Sequence, residues 1–118
     1  MAEAGLFIGW SAPFNGREEK AVQVFGEAMA FWASLAEDGK IEGSQAAFLR
    51  PHGGDLGGFM LIRGTRDQIA AVQQEEEFNR FNTRAALVVD GFGVVPAFLD
   101  EGIGEQMQLY QEMVAQLT

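Results

Sequence analysis

The chain opens on a short apolar run, "GLFIGW" (5–10), closed by Pro13 and an Asn15-Gly16 turn signal. A bounded run of this kind predicts a first strand. The rhythm changes over residues 17–38. Val22, Phe25, Ala28, Met29, Trp32, Leu35 and Ala36 recur at intervals of three and four, the mark of one buried helical face. Glu18 and Glu19 stand at the start of that helix, where its dipole favours anions, and Gly39 follows its last turn as a left-handed cap. "IEGSQAAFLR" (41–50) and "GGFMLIRG" (57–64) return to alternating or continuous apolar character. They predict a second and a third strand joined across "PHGGDLGG". Thr65-Arg66-Asp67-Gln68 has the form of a capping box. The helix it opens turns Ile69 and Val72 inward and breaks or bends within "QQEEEFNRFN", with "NTR" as the turn out of it. "RAALVVDGFGVVPAF" (84–98) predicts the fourth strand, bent at Gly91 or Gly93. From residue 100 onward Ile103, Met107, Tyr110, Val114 and Leu117 alternate spacings of four and three, an interaction stripe on a last helix.

The predicted order is strand, helix, strand, strand, helix, strand, helix. Its first six elements make the βαββαβ ferredoxin-like arrangement, an α+β fold with one antiparallel sheet and an extra C-terminal helix. At 118 residues the whole chain, 1–118, reads as one domain.

Side chains alternate across a strand, and here both sides are apolar. Leu6, Ile8 and Trp10 oppose Phe7; Ala46 and Phe48 oppose Ala47 and Leu49; Phe59 and Leu61 oppose Met60 and Ile62; Leu87 and Val89 oppose Val88. The two crossover helices of this topology cover one side only. Burying a Leu, Ile or Phe side chain contributes about 1.5–3 kcal/mol. Half a dozen left wet would cancel much of a typical stability of about 5–15 kcal/mol. The second side therefore needs a cover. The C-terminal helix is one candidate; a second subunit, with the last helix packing around or across the interface, is the favoured one.

Composition narrows the partners. The net charge is −9 and the basic residues are scattered, so no stripe exists to displace counterions from nucleic acid or to hold an anionic membrane. The opening "MAEAGLFIGW" lacks the basic region of a secretory leader, and no apolar run approaches the roughly 20 residues of a membrane span. There is no cysteine, which removes thiol chemistry and fits a reducing cytoplasm.

The order of elements, with "EDGKIEG", a glycine-marked hairpin, "GGFMLIRG" and then "TRDQIAAVQQEEEF", resembles the dimeric α/β-barrel superfamily. It is most similar to the YCII-related members, over about residues 5–98. The resemblance implies a homodimer built on paired sheets. It also implies a range of activities that includes cofactor-free monooxygenases, small-molecule isomerases and haem-degrading enzymes. The first helix lacks the His found in the YCII-related and haem-degrading domains, and Glu77-Phe78 stands where the former carry an acidic-Pro-Phe run.

Candidate chemistry is sparse. His52, the only histidine, lies in "HGGDLGG". A lipase-type oxyanion loop would need a G-x-S-x-G elbow, which is absent. A phosphate cradle would open into a helix, whereas these glycines open into a strand. A hairpin connection is the plain reading, with His52 at its rim. His52 and Asp55 are too few for a metal site, and "EEE" (75–77) reads as a solvated helix face. If the hairpin centres near Gly54-Asp55, Phe48 faces Leu61, and Arg63 lies near Ser44 or Ala46. Arg50, Arg63 and Asp90 then project into the cavity beneath the sheet. Two functions follow. One is a small-molecule-binding or structural homodimer that uses no cofactor. The other is a cofactor-independent monooxygenase or isomerase acting on an apolar or aromatic substrate. In the second, Trp10, Trp32, Arg50 and Arg63 bind the substrate and His52 or Asp90 serves as base.

Overall fold

The computed structural model describes residues 2–117. Its elements are β1 (Ala4–Trp10), α1 (Glu18–Glu37), β2 (Gly43–Phe48), β3 (Gly58–Gly64), α2 (Arg66–Gln73), α3 (Glu76–Val88), β4 (Gly93–Phe98) and α4 (Glu101–Leu117). The four strands form one antiparallel sheet in the order β2-β3-β1-β4. This is the βαββαβ ferredoxin-like fold that the sequence predicts, extended by α4.

Local chemistry sets the helix ends. Gly39 takes φ 73°, and the N–H groups of Gly39 and Lys40 donate to the carbonyls of Ala36 and Leu35. That pairing closes α1 as a Schellman turn. The capping box forms as predicted: the Gln68 N–H donates to the Thr65 hydroxyl, and the Thr65 N–H donates to the Gln68 side chain. The break within the acidic stretch falls at Gln74 and Glu75. Glu75 is extended and starts α3, and its carboxylate meets Lys40 at 3.2 Å.

One prediction fails at the fourth strand. Residues 84–88 close α3, and "NTR" lies inside that helix rather than in a turn. Phe78, Phe81, Ala85 and Val88 repeat at three, four and three, so the helical period prevails over the strand propensity of "ALVV". Leu87 and Val88 are therefore helical, and Val89 makes only an isolated bridge to Pro13. The chain turns at Asp90-Gly91, with Gly91 at φ 67°, before β4 begins. On α1 the buried positions are Ala21, Val24, Trp32 and Leu35, while Val22 and Met29 point outward.

The core lies between the sheet and the helices. Leu6 and Ile8 of β1 and Met60 and Ile62 of β3 meet Trp32, Leu35, Ile41, Ile69, Val72 and Phe78. The other side of the sheet carries Phe7, Phe59, Leu61 and Val95. The Phe7 and Phe59 rings stack at 5.2 Å, and Val95 remains 55% exposed. Leu99 and Leu56 lap over this side only near Gly5 and Gly9.

The last helix does not cover that side within its own chain. It leaves the end of the sheet held by ion pairs of Arg63 with Asp100 (2.7 Å) and Arg66 with Glu105. Gly102 sits against the Glu3 carbonyl, where a Cβ would come within 2.1 Å. Beyond this anchor Ile103, Met107, Tyr110, Val114 and Leu117 are all exposed. The radius of gyration, 16.2 Å, exceeds the roughly 13–14 Å of a compact chain of this length. No helix among the described residues is long and apolar enough to cross a membrane.

Candidate functional site

A cavity of about 470 Å³ lies between the core side of the sheet and the facing helices α1 and α3. It begins where β1 ends. Trp10 alternates to the core side of β1, in register with Gly58 of β3. A Cβ on Gly58 would sit 2.8 Å from the Trp10 ring and 2.8 Å from the Ala47 carbonyl. A Cβ on Gly57 would meet the Ser11 carbonyl at 1.9 Å, and the Gly57 N–H donates to the Trp10 carbonyl at 2.8 Å. The glycine pair of "LGGFM" thus makes room for Trp10 and Ser11.

Aromatic rings shape the space. Trp10, Phe25 and Phe48 form one group, with centroids 4.8–6.3 Å apart. Phe48 is 70% exposed and stands at the mouth. Trp32 and Phe81 line the deeper part, each in ring contact with Phe31, and Trp32 also meets Phe78 edge-on. Such pairs add about 0.5–1.5 kcal/mol each beyond the area they bury. The helices that flank the space are pinned to one another. Arg84 of α3 pairs with Glu27 of α1 at 2.5 Å. Arg17 donates to the Leu87 carbonyl, also at 2.5 Å, in the last turn of α3.

Ser11 and Asn82 are the lining residues with a hydroxyl or an amide, and no lining residue carries an ionisable side chain. Asn82 was not foreseen. The sign was available, since it adjoins Phe81 and falls three residues before Ala85, on the inward side of α3.

Of the residues singled out from sequence, the structure brings Trp10 and Trp32 to this cavity and leaves the rest off its lining. His52 closes its own exposed loop. Its Nδ1 accepts from the Gly54 N–H at 3.2 Å, and its Nε2 lies 2.8 Å from the Leu56 carbonyl. These partners fix the tautomer with the proton on Nε2. Asp90 is exposed; its backbone bonds to Ser11 and Ala12 beside the end of β1. Arg50 is exposed on the loop after β2. Arg63 faces the opposite side of the sheet, paired with Asp100. The hairpin register explains much of this. Phe48 faces Gly58, Gln45 faces Leu61 and Arg63 faces Gly43, three residues away from the register centred on Gly54-Asp55. Arg50, Arg63 and Asp90 therefore do not project beneath the sheet as the sequence led us to expect.

Among the described residues no group of three or more His, Cys, Asp or Glu side chains is placed to hold a metal ion. Hydrogen bonds from Arg84 and then Gln23 hold the Glu27 carboxyl below its ordinary value of 4.5.

No protein-family model and no curated protein matches the chain. Solved structures do. A dimeric protein of unknown function with a ferredoxin-like fold from Bacteroides fragilis superposes with a TM-score of 0.62 at 9% identity, over 84% of this chain and 98% of that one. A dimeric ferredoxin-like protein of unknown function from Jannaschia sp. CCS1 gives 0.61 at 15%, over 82% and 98%. SnoaB, a cofactor-independent oxygenase from Streptomyces nogalater, gives 0.50 at 15%, over 84% and 93%. At such identities the likeness speaks for architecture, and it agrees with strand order and register: this chain has the ferredoxin-like fold, shared with proteins that are dimers.

Proposed function

We propose that this chain is a small-molecule-binding homodimer of the dimeric α/β-barrel type, with one ligand site per protomer in the cavity between the sheet, α1 and α3. The aromatic cavity of about 470 Å³ carries this reading. Its volume lies within the roughly 300–1,000 Å³ of small-molecule sites, and its apolar walls with few polar groups fit that class. The two protomers meet through the bare sheet sides bearing Phe7, Phe59, Leu61 and Val95, and α4 grips the partner with its exposed stripe. The dimeric neighbours support the pairing. A finer kinship with the YCII-related domains rests on "GGFMLIRG" followed by "TRDQIAAVQQEEEF". Trp10 and Trp32 are the ligand platforms. A thermal-shift screen with small aromatic compounds tests this reading. Stabilisation that disappears in Trp32→Leu but survives in His52→Ala supports it. A screen in which nothing stabilises the protein argues against it.

The second reading, a cofactor-independent monooxygenase or isomerase, draws on the SnoaB likeness and the aromatic lining of the cavity. A base at His52 or Asp90 would have to act from outside this cavity. Oxygen uptake with quinol-type substrates tests it; turnover that survives the joint loss of His52 and Asp90 would remove both as bases.

A further inference from the structure

We propose that the cavity selects its ligand by charge: it takes an uncharged aromatic molecule bearing an oxygen acceptor on one edge, such as a phenol or an aryl ketone. This deepens the binding reading and depends on it. No ionisable side chain lines the cavity, and Arg50, next to the lining residue Leu49, stands exposed on the loop outside it. Arg63 is spent on Asp100, Arg84 on Glu27 and Arg17 on the Leu87 carbonyl. A carboxylate or phosphate entering the cavity would shed its water and meet no cation, and a net charge of −9 repels anions before they arrive. An ammonium would be drawn to the aromatic faces, but it finds no carboxylate and offers the donor N–H groups of the lining no oxygen to bind.

What the lining does offer is hydrogen-bond donors. The Asn82 amide, the Ser11 hydroxyl and the indole N–H groups of Trp10 and Trp32 have no hydrogen-bond partner among the described residues. All four can donate, and the indoles can do nothing else. A ligand oxygen accepts from them, while the ring systems of Trp10, Phe25 and Phe81 favour a flat partner. Asn82 and Ser11 are thus assigned the orientation of the ligand, and the aromatic rings its affinity.

Four probes of one shape test this: naphthalene, 2-naphthol, 2-naphthoate and 2-naphthyltrimethylammonium, each titrated into the dimer near neutral pH and followed by calorimetry and by the side-chain amide signals of Asn82. 2-Naphthol is expected to bind about tenfold tighter than naphthalene, the worth of one good hydrogen bond. It should bind at least a hundredfold tighter than 2-naphthoate. Asn82→Ala should erase the preference for naphthol over naphthalene, with circular dichroism and the melting temperature reporting that the fold is intact. If Asn82→Ala does not fold, Ser11→Ala should halve the preference or more. Naphthoate or the ammonium binding as tightly as naphthol overturns the inference and leaves the cavity a binding site. Failure of all four probes overturns the binding reading itself.

Discussion

Leu61 lies in the middle of the bare sheet side, beside Phe7 of β1 and Gln45 of β2. Within one chain no more than about a third of its surface remains exposed, so closing a dimer over it contributes at most about 1 kcal/mol of the 1.5–3 kcal/mol that full burial brings. A two-fold axis presents each substitution twice. Leu61→Ala should therefore weaken the dimer by about 1–2 kcal/mol, roughly five- to thirtyfold in Kd. Leu61→Asp loses the same contacts and also buries a carboxylate in each protomer, at several kcal/mol per ion. The dissociation constant should rise by about 10⁴-fold or more. Sedimentation velocity across a wide concentration range reads both changes directly. The wild type should run at twice 12.9 kDa and Leu61→Asp at 12.9 kDa, with Leu61→Ala crossing over at intermediate concentrations. Circular dichroism would confirm that the Asp variant keeps its secondary structure. The reasoning is refuted if the wild type sediments as a monomer throughout, or if Leu61→Asp dimerises with an unchanged constant.

Other expectations concern single sites. Gly58→Ala should cost about 1–3 kcal/mol and shift tryptophan emission, because the new methyl group meets the Trp10 ring and a backbone carbonyl; urea melts and fluorescence check it. Thr65→Ala should cost about 1 kcal/mol by opening the capping box of α2, read as a lower melting temperature. Arg84 and Gln23 hold the Glu27 carboxyl below 4.5, so its contribution to stability is present above that pH and fades as pH falls through the folded value. The gap in melting temperature between wild type and Glu27→Gln should accordingly shrink from neutral to strongly acid solution. Removing 100–118 should weaken the dimer and leave the sheet folded, checked by mass and circular dichroism; an unchanged dimer would relieve α4 of any part in the interface.

Much of this architecture was legible because local signals agreed. The three-and-four spacing of Trp32 and Leu35, the Gly39 cap and the Thr65 capping box each name one structure and no other. The region 84–98 was harder, since "ALVV" suits a buried strand and a helix end equally well, and only the spacing from Phe78 to Val88 decides between them. The hairpin register slipped by three because a long loop with several glycines has no single centre in sequence. The cavity is built from residues spread between Ile8 and Phe92, on both crossover helices and three strands, so no one window discloses it. Asn82 reads as one polar residue among many in "EEEFNRFN". Its place on the cavity lining comes from where α1 lies across from it.

The unsatisfied stripe of α4 and the bare sheet side also bear on how this molecule is made. In the proposed dimer a freshly synthesised copy would reach its final form only after meeting another, making its last assembly step second order. Refolding from denaturant should speed up as the chain is made more concentrated, until self-association outruns correct pairing and yield drops. The acidic surface, with its mutual repulsion between strangers, would widen the interval in which pairing wins.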